Sequence, residues 1–88
     1  MNINTNVKRY ASNPRSRHRE TTLQEVYDFC VDYITEEKIA PSLKEVAEGL
    51  YMSRANVTRY IDILEARGYI ERNPSIPRSL RILEPPEW

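Results

Sequence analysis

Apolar residues recur at helical spacing in three stretches between residues 22 and 66, and the period then shortens to two. In the first stretch Leu23, Val26, Tyr27, Cys30, Val31 and Ile34 follow the i, i+3, i+4, i+7 spacing of a buried stripe, with Glu25, Asp28, Asp32 and Glu36 on the other side. Thr22 followed by Glu25 has the spacing of a capping box, which predicts a helix start near Thr22. Pro41 ends the connection, and Ser42-Leu43-Lys44-Glu45 is a second capping box. It predicts a helix over Leu43–Leu50 with Leu43, Val46, Ala47 and Leu50 on one face. After a short break at Tyr51-Met52, Ser53 is the predicted cap of a third helix. Val57, Tyr60, Ile61 and Leu64 form its buried stripe, and Gly68 terminates it.

Beyond Gly68, Tyr69-Ile70-Glu71-Arg72 reads as a short strand and Asn73-Pro74-Ser75-Ile76-Pro77 as a turn-rich loop. Arg78 to Leu83 alternates as a returning strand. Three helices followed by a small β-hairpin predict a mainly α fold, a three-helix winged helix-turn-helix domain over residues 21–83. Residues 1–20 show no period and read as a basic, flexible N-terminal tail. Residues 84–88 are a short C-terminal tail.

At 88 residues the chain has room for a single hydrophobic core, so a binding module is expected and an enzyme with a separate substrate domain is not. One cysteine, Cys30, and one histidine, His18, leave no disulfide framework, no metal-ligand set and no nucleophile–base pair. No catalytic residue, metal, cofactor or small-molecule ligand is therefore expected. Cys30 reads as a small buried hydrophobe. No apolar run approaches the ~20 residues of a membrane span, and the opening MNINTNVKRY lacks the apolar core of a signal peptide. A cytoplasmic protein without membrane contact is expected.

The formal net charge of zero hides segregation along the chain. Residues 1–20 carry Lys8, Arg9, Arg15, Arg17 and Arg19 against Glu20 alone. Residues 21–52 are acidic, with two basic and seven acidic side chains. Residues 53–83 are basic again, with Arg54, Arg59, Arg67, Arg72, Arg78 and Arg81 against Asp62, Glu65 and Glu71. Phosphate attraction is screened within about 8–10 Å at ordinary salt, so local segregation matters more than the sum.

The span Ala47–Ile61 carries the most information. A helix-turn-helix needs a small residue where its helices cross, and Ala47 supplies it. Val46, Leu50, Met52, Val57 and Ile61 lock the pair. Ser53, Arg54, Ala55, Asn56, Thr58 and Arg59 are then free to face a DNA major groove, which admits one helix. Arginine suits guanine or phosphate, asparagine suits adenine, and threonine meets a base or a thymine methyl. Arg78, beside the wing turn, is a candidate for a phosphate or minor-groove contact. Arg67, Arg72 and Arg81 read as solvated surface charges. Arg15, Arg17 and Arg19, just before the first helix, could form an arm entering an adjacent minor groove.

From Thr22 to Leu83 the chain resembles the N-terminal DNA-binding domain of LexA-type repressors. The resemblance rests on Pro41-Ser42 before the second helix, on Leu64-Glu65 through Gly68-Tyr69-Ile70, and on Asn73-Pro74 with Pro77-Arg78 in the wing. It implies sequence-specific binding of double-stranded DNA by a transcriptional repressor, with base-reading residues falling on Ser53, Ala55, Asn56, Thr58 and Arg59. Two departures stand out. This chain has no room for the family's protease domain, which carries self-cleavage and the dimer contacts. Tyr51 also sits where the turn between the helices often has glycine. A single module of this kind buries roughly 600–1,000 Å² of protein surface, so tight binding calls for a homodimer on a paired site. The alternative is a winged helix that docks on another protein without specific DNA binding.

Overall fold

The computed structural model describes residues 19–86. Helix α1 spans Arg19–Glu37, α2 Leu43–Leu50 and α3 Arg54–Ala66. Strands β1, Ile70–Glu71, and β2, Arg81–Ile82, pair antiparallel with Ile70 opposite Ile82 and Glu71 opposite Arg81. This is the winged helix-turn-helix order, and both capping signals around α2 and α3 take the predicted form. Ser42 caps α2 with a complete capping box: its hydroxyl accepts from the Glu45 amide at 3.1 Å, and its own amide donates to Glu45 Oε1 at 2.9 Å. Ser53 caps α3, accepting from the Asn56 amide at 3.1 Å.

The core is one cluster to which every element contributes. Leu23, Val26, Tyr27 and Cys30 of α1 meet Val46, Ala47 and Leu50 of α2, Val57, Ile61 and Leu64 of α3, and Ile70 and Leu80 of the hairpin. Val31, Ile34, Leu43 and Tyr60, expected in the buried stripes, are half-buried at its rim. Tyr27 and Tyr69 meet edge to face, with centroids 6.4 Å apart, joining α1 to the residue before β1. Besides Ala47, Gly49 admits a close neighbour: a Cβ there would lie 2.3 Å from the Phe29 ring. Burial pushes the Cys30 thiol up to about 12, so it stays protonated in the core.

The structure departs from the predicted elements at three places. Helix α1 starts at Arg19, so Thr22 lies inside the helix rather than at its cap, and Glu25 is 4% exposed in the helix body. The early first turn carries a tertiary contact. Glu20 in the first turn takes a bidentate pair from Arg67, 47 residues on, at 3.1 and 2.9 Å. The returning strand is shorter than expected, because Arg78 has φ 57° and cannot be extended. Side chains close the wing in its place. The Asn73 amide donates to Ser79 Oγ at 2.8 Å, and the Ser79 hydroxyl donates back to the Asn73 carbonyl at 2.9 Å. Finally, Arg72 is not solvated: its side chain is 13% exposed and pairs with Asp62 at 3.2 Å and Glu65 at 3.9 Å.

Two helix ends use the same left-handed cap with different residues. At the end of α3, Gly68 has φ 82°, its amide donates to the Glu65 carbonyl at 3.0 Å, and the Tyr69 amide donates to Leu64 at 3.0 Å. At the end of α2, Tyr51 has φ 56° and ψ 46°. The Met52 amide donates to Ala47 at 2.9 Å, while the Tyr51 bond to Glu48 is stretched to 3.4 Å. The Tyr51 side chain is 88% exposed and returns no core packing for that backbone geometry.

The wing is fastened to α2 by Arg78. Its Nη1 donates to Glu45 Oε1 and to the Ala40 carbonyl, each at 2.9 Å, and its Nη2 donates to Glu45 Oε2 at 2.7 Å. Hydrogen bonding from Arg78 first, then from the Ser42 amide, holds the Glu45 carboxyl at about 2 against an ordinary 4.5.

These caps make two opposite expectations. Gly68→Ala should lose about 1–2 kcal/mol by urea denaturation, from backbone conformation alone, since nothing lies within 4 Å of the added Cβ. Tyr51→Gly should gain up to about 1 kcal/mol, trimmed by glycine's greater freedom in the unfolded chain. The Glu45 carboxyl predicts a pH effect. Because its folded value is depressed, its contribution is present above the ordinary 4.5 and is lost as pH falls towards 2. The stability gap between the wild-type chain and Glu45→Gln should therefore be widest near neutral pH and close on acidification, as read by denaturation across pH.

Candidate nucleic-acid interface

The burial of α3 decides which of its residues are offered outward. Val57, Ile61 and Leu64 are fully buried. On the free side, Ser53, Arg54, Ala55, Asn56 and Arg59 are exposed and Thr58 is half-buried. The structure thus brings all six helix candidates onto the cap and first two turns of one helix. Ser53 Oγ accepts the Asn56 amide, which orients the hydroxyl while leaving its own proton available. The Asn56 carboxamide has no hydrogen-bond partner among the described residues. This surface consists of short side chains between two long cations, a shape that lets the backbone approach a groove closely.

Electrostatics single out the same face. Of the six arginines in residues 53–83, four are matched to carboxylates: Arg67 with Glu20, Arg72 with Asp62 and Glu65, Arg78 with Glu45, and Arg81 with Glu71. Arg54 and Arg59 have no carboxylate partner among the described residues. The Arg72 pair also matters to the exposed face. Asp62 lies one turn beyond Thr58 and Arg59 on α3 and is exposed, and Arg72 compensates a carboxylate that would otherwise repel a phosphate.

A second cationic element was not singled out by the pattern of the sequence. The N-terminus of α2, the start of α3 and the wing enclose a cleft of about 270 Å³ bordered by Lys44, Arg54, Asn73 and Ser75. Lys44 is exposed in the first turn of α2. The signal was available, because the Ser42–Glu45 capping box fixes Lys44 as the second residue of that helix. Arg78 also borders the cleft, with both its terminal nitrogens engaged by Glu45. Of the arm candidates, Arg15 and Arg17 lie outside the described residues, and Arg19 is the first residue of α1. No group of His, Cys, Asp and Glu that could hold a metal ion occurs among the described residues. No helix among them is long and apolar enough to cross a membrane.

Comparison with known proteins agrees with this geometry. Residues 21–79 match the family described as the LexA DNA binding domain. Among similar curated proteins, the LexA repressor of Clostridium novyi is 33% identical over 72 residues, covering 81% of this chain and 35% of that protein. The LexA repressor of Erythrobacter litoralis is 41% identical over 64 residues, covering 72% of this chain and 28% of that protein. That of Koribacter versatilis is 35% identical over 63 residues, covering 70% and 30%. The chain thus spans about a third of the length of these relatives. The matched segment runs from α1 to the turn of the wing at residue 79 and takes in the whole exposed face of α3, and the chain belongs to the LexA DNA-binding domain family.

Proposed function

We propose that this chain binds double-stranded DNA in a sequence-specific manner as the DNA-binding part of a non-catalytic transcriptional repressor. The observation that carries the reading is the pairing of charges. The two arginines of the basic half left without carboxylate partners among the described residues, Arg54 and Arg59, both lie on the exposed first two turns of α3. Inserted in a major groove, that face offers Asn56 to adenine, Thr58 and Ala55 to base edges or a thymine methyl, and Arg59 to guanine or phosphate. Arg54 and Lys44, beside the cleft at the helix N-termini, reach the phosphate backbone. The area available to one such module, roughly 600–1,000 Å², favours a second copy on a paired half-site. Arg15 and Arg17, ahead of Arg19 at the start of α1, supply an arm to the adjacent minor groove.

Selection from a random duplex pool should enrich one motif, and the double substitution Asn56→Ala, Arg59→Ala should abolish the enrichment while leaving the thermal transition cooperative. Enrichment by the double variant would place the reading face elsewhere. Affinity for the enriched duplex should fall steeply with salt, and Arg54→Ala should make the log–log slope shallower by about one. Deleting residues 1–18 should weaken binding and flatten the slope further; an unchanged affinity and slope would remove the arm.

A further inference from the structure

Arg78 was expected to reach DNA as a free cation beside the wing turn, and the geometry points inward. Both terminal nitrogens of the guanidinium meet both oxygens of Glu45, at 2.9 and 2.7 Å, and Nη1 also donates to the Ala40 carbonyl at 2.9 Å. Glu45 Oε1 accepts the Ser42 amide as well, so one carboxylate closes the first turn of α2 and holds the wing. A single group of hydrogen bonds thereby joins the α1–α2 loop, α2 and the wing. The backbone is arranged for it, since Arg78 sits at φ 57°, a conformation that a non-glycine residue adopts at a cost.

The wing is held elsewhere by Arg72, just after β1, which pairs with Asp62 and Glu65 of α3 at 3.2 and 3.9 Å. Its strands are two residues each, and the turn at 73–79 is closed by bonds among its own residues. Ile70 and Leu80 anchor the two legs in the core, but apolar contacts fix orientation less sharply than a bidentate fork.

We propose that Arg78 and Glu45 form a positioning clasp that sets the place of the wing relative to the exposed face of α3. Arg78 then acts on DNA through the wing's placement and not as a phosphate contact. The effect on DNA rests on the DNA-binding reading above; the clasp itself does not.

The two roles of Arg78 diverge in sign. As a phosphate contact, Arg78→Lys would keep the charge and most of the affinity, and Arg78→Ala would flatten the salt slope by about one. Glu45→Gln would release Arg78, remove a negative charge and tighten binding. As a clasp, the point charge of lysine cannot reproduce the fork. Arg78→Lys and Glu45→Gln should then each weaken binding about tenfold, with the salt slope unchanged. The test uses the full chain, the duplex recovered from the random pool, and amide hydrogen exchange of the unbound protein. In both variants amides of residues 70–83 should exchange faster while those of α1 and α3 keep wild-type protection. Unchanged exchange in the wing overturns the clasp whether or not DNA binds. Tighter binding by Glu45→Gln, or wild-type affinity of Arg78→Lys, overturns its role on DNA. Failure of the wild-type chain to enrich any duplex would instead strike the DNA reading and with it the clasp's use on DNA, while exchange still decides the clasp. Arg78→Lys leaves the Ser42–Glu45 capping box intact, so the question survives even if Glu45→Gln fails to fold.

Discussion

Val57, Ile61 and Leu64 occupy one stripe of α3 and are fully withdrawn from solvent among α1, α2 and the hairpin. Each such side chain contributes roughly 1.5–3 kcal/mol by burial, and their helical spacing leaves α3 one rotation about its axis that hides all three. That rotation puts Ser53 to Arg59 outside. The chemistry offered at the surface is thus a consequence of how the core is satisfied, with no separate device to hold the helix. The second half of α3 does most of the packing, and the first two turns are released for contact.

The charge pattern reinforces this division. The chain is neutral in sum, yet most of its acidic groups do not face the exposed turns of α3. Arginines from the basic half reach out to Glu20 on α1, Glu45 on α2, Asp62 and Glu65 on α3, and Glu71 on β1. Exposed pairs of this sort add little stability individually. Their larger effect is on the field, because a compensated arginine projects little beyond about 8–10 Å. What remains is local and directional, at Arg54, Arg59 and Lys44. A domain with no net positive charge can therefore present a cationic surface to a polyanion on one side.

Elements whose signals are local were legible in the sequence. The bounds of α2, the cap of α3 and its glycine terminator rest on residues within four positions of each other, and the left-handed turn at Tyr51 was visible as a tyrosine in a glycine position. Features set by distant partners were not legible. Glu20 in the first turn of α1 pairs with Arg67, Arg72 is withdrawn to meet carboxylates of α3, and the Phe29 ring fills space that Gly49 leaves. The shortened β2 belongs to the same class. Alternation over Arg78 to Leu83 reads as strand, but Arg78 leaves the extended region to meet Glu45 on another element. The exposed face of α3 was readable because a surface face is what the core pattern leaves over. The pairing of Arg78 with Glu45 was not, since an arginine beside a turn has the same appearance in a sequence whether it faces solvent or a carboxylate.

Helix α2 ties these observations together. It has only eight residues, about 12 Å of rise, yet each end holds a different part of the surface. Its N-terminus carries the Ser42–Glu45 box and, through Glu45, the wing. Its C-terminus ends at Tyr51, whose left-handed backbone turns the chain into the Ser53 cap within two residues. The wing is tied to α2 through Glu45, and to α3 through the pairing of Arg72 with Asp62 and Glu65. Left-handed backbone occurs at Tyr51, which ends α2, and at Arg78, which bonds to its first turn. A fold that needed only a stable core would have no reason to place strained residues there, whereas one that must hold two surface elements in fixed relation has reason at both.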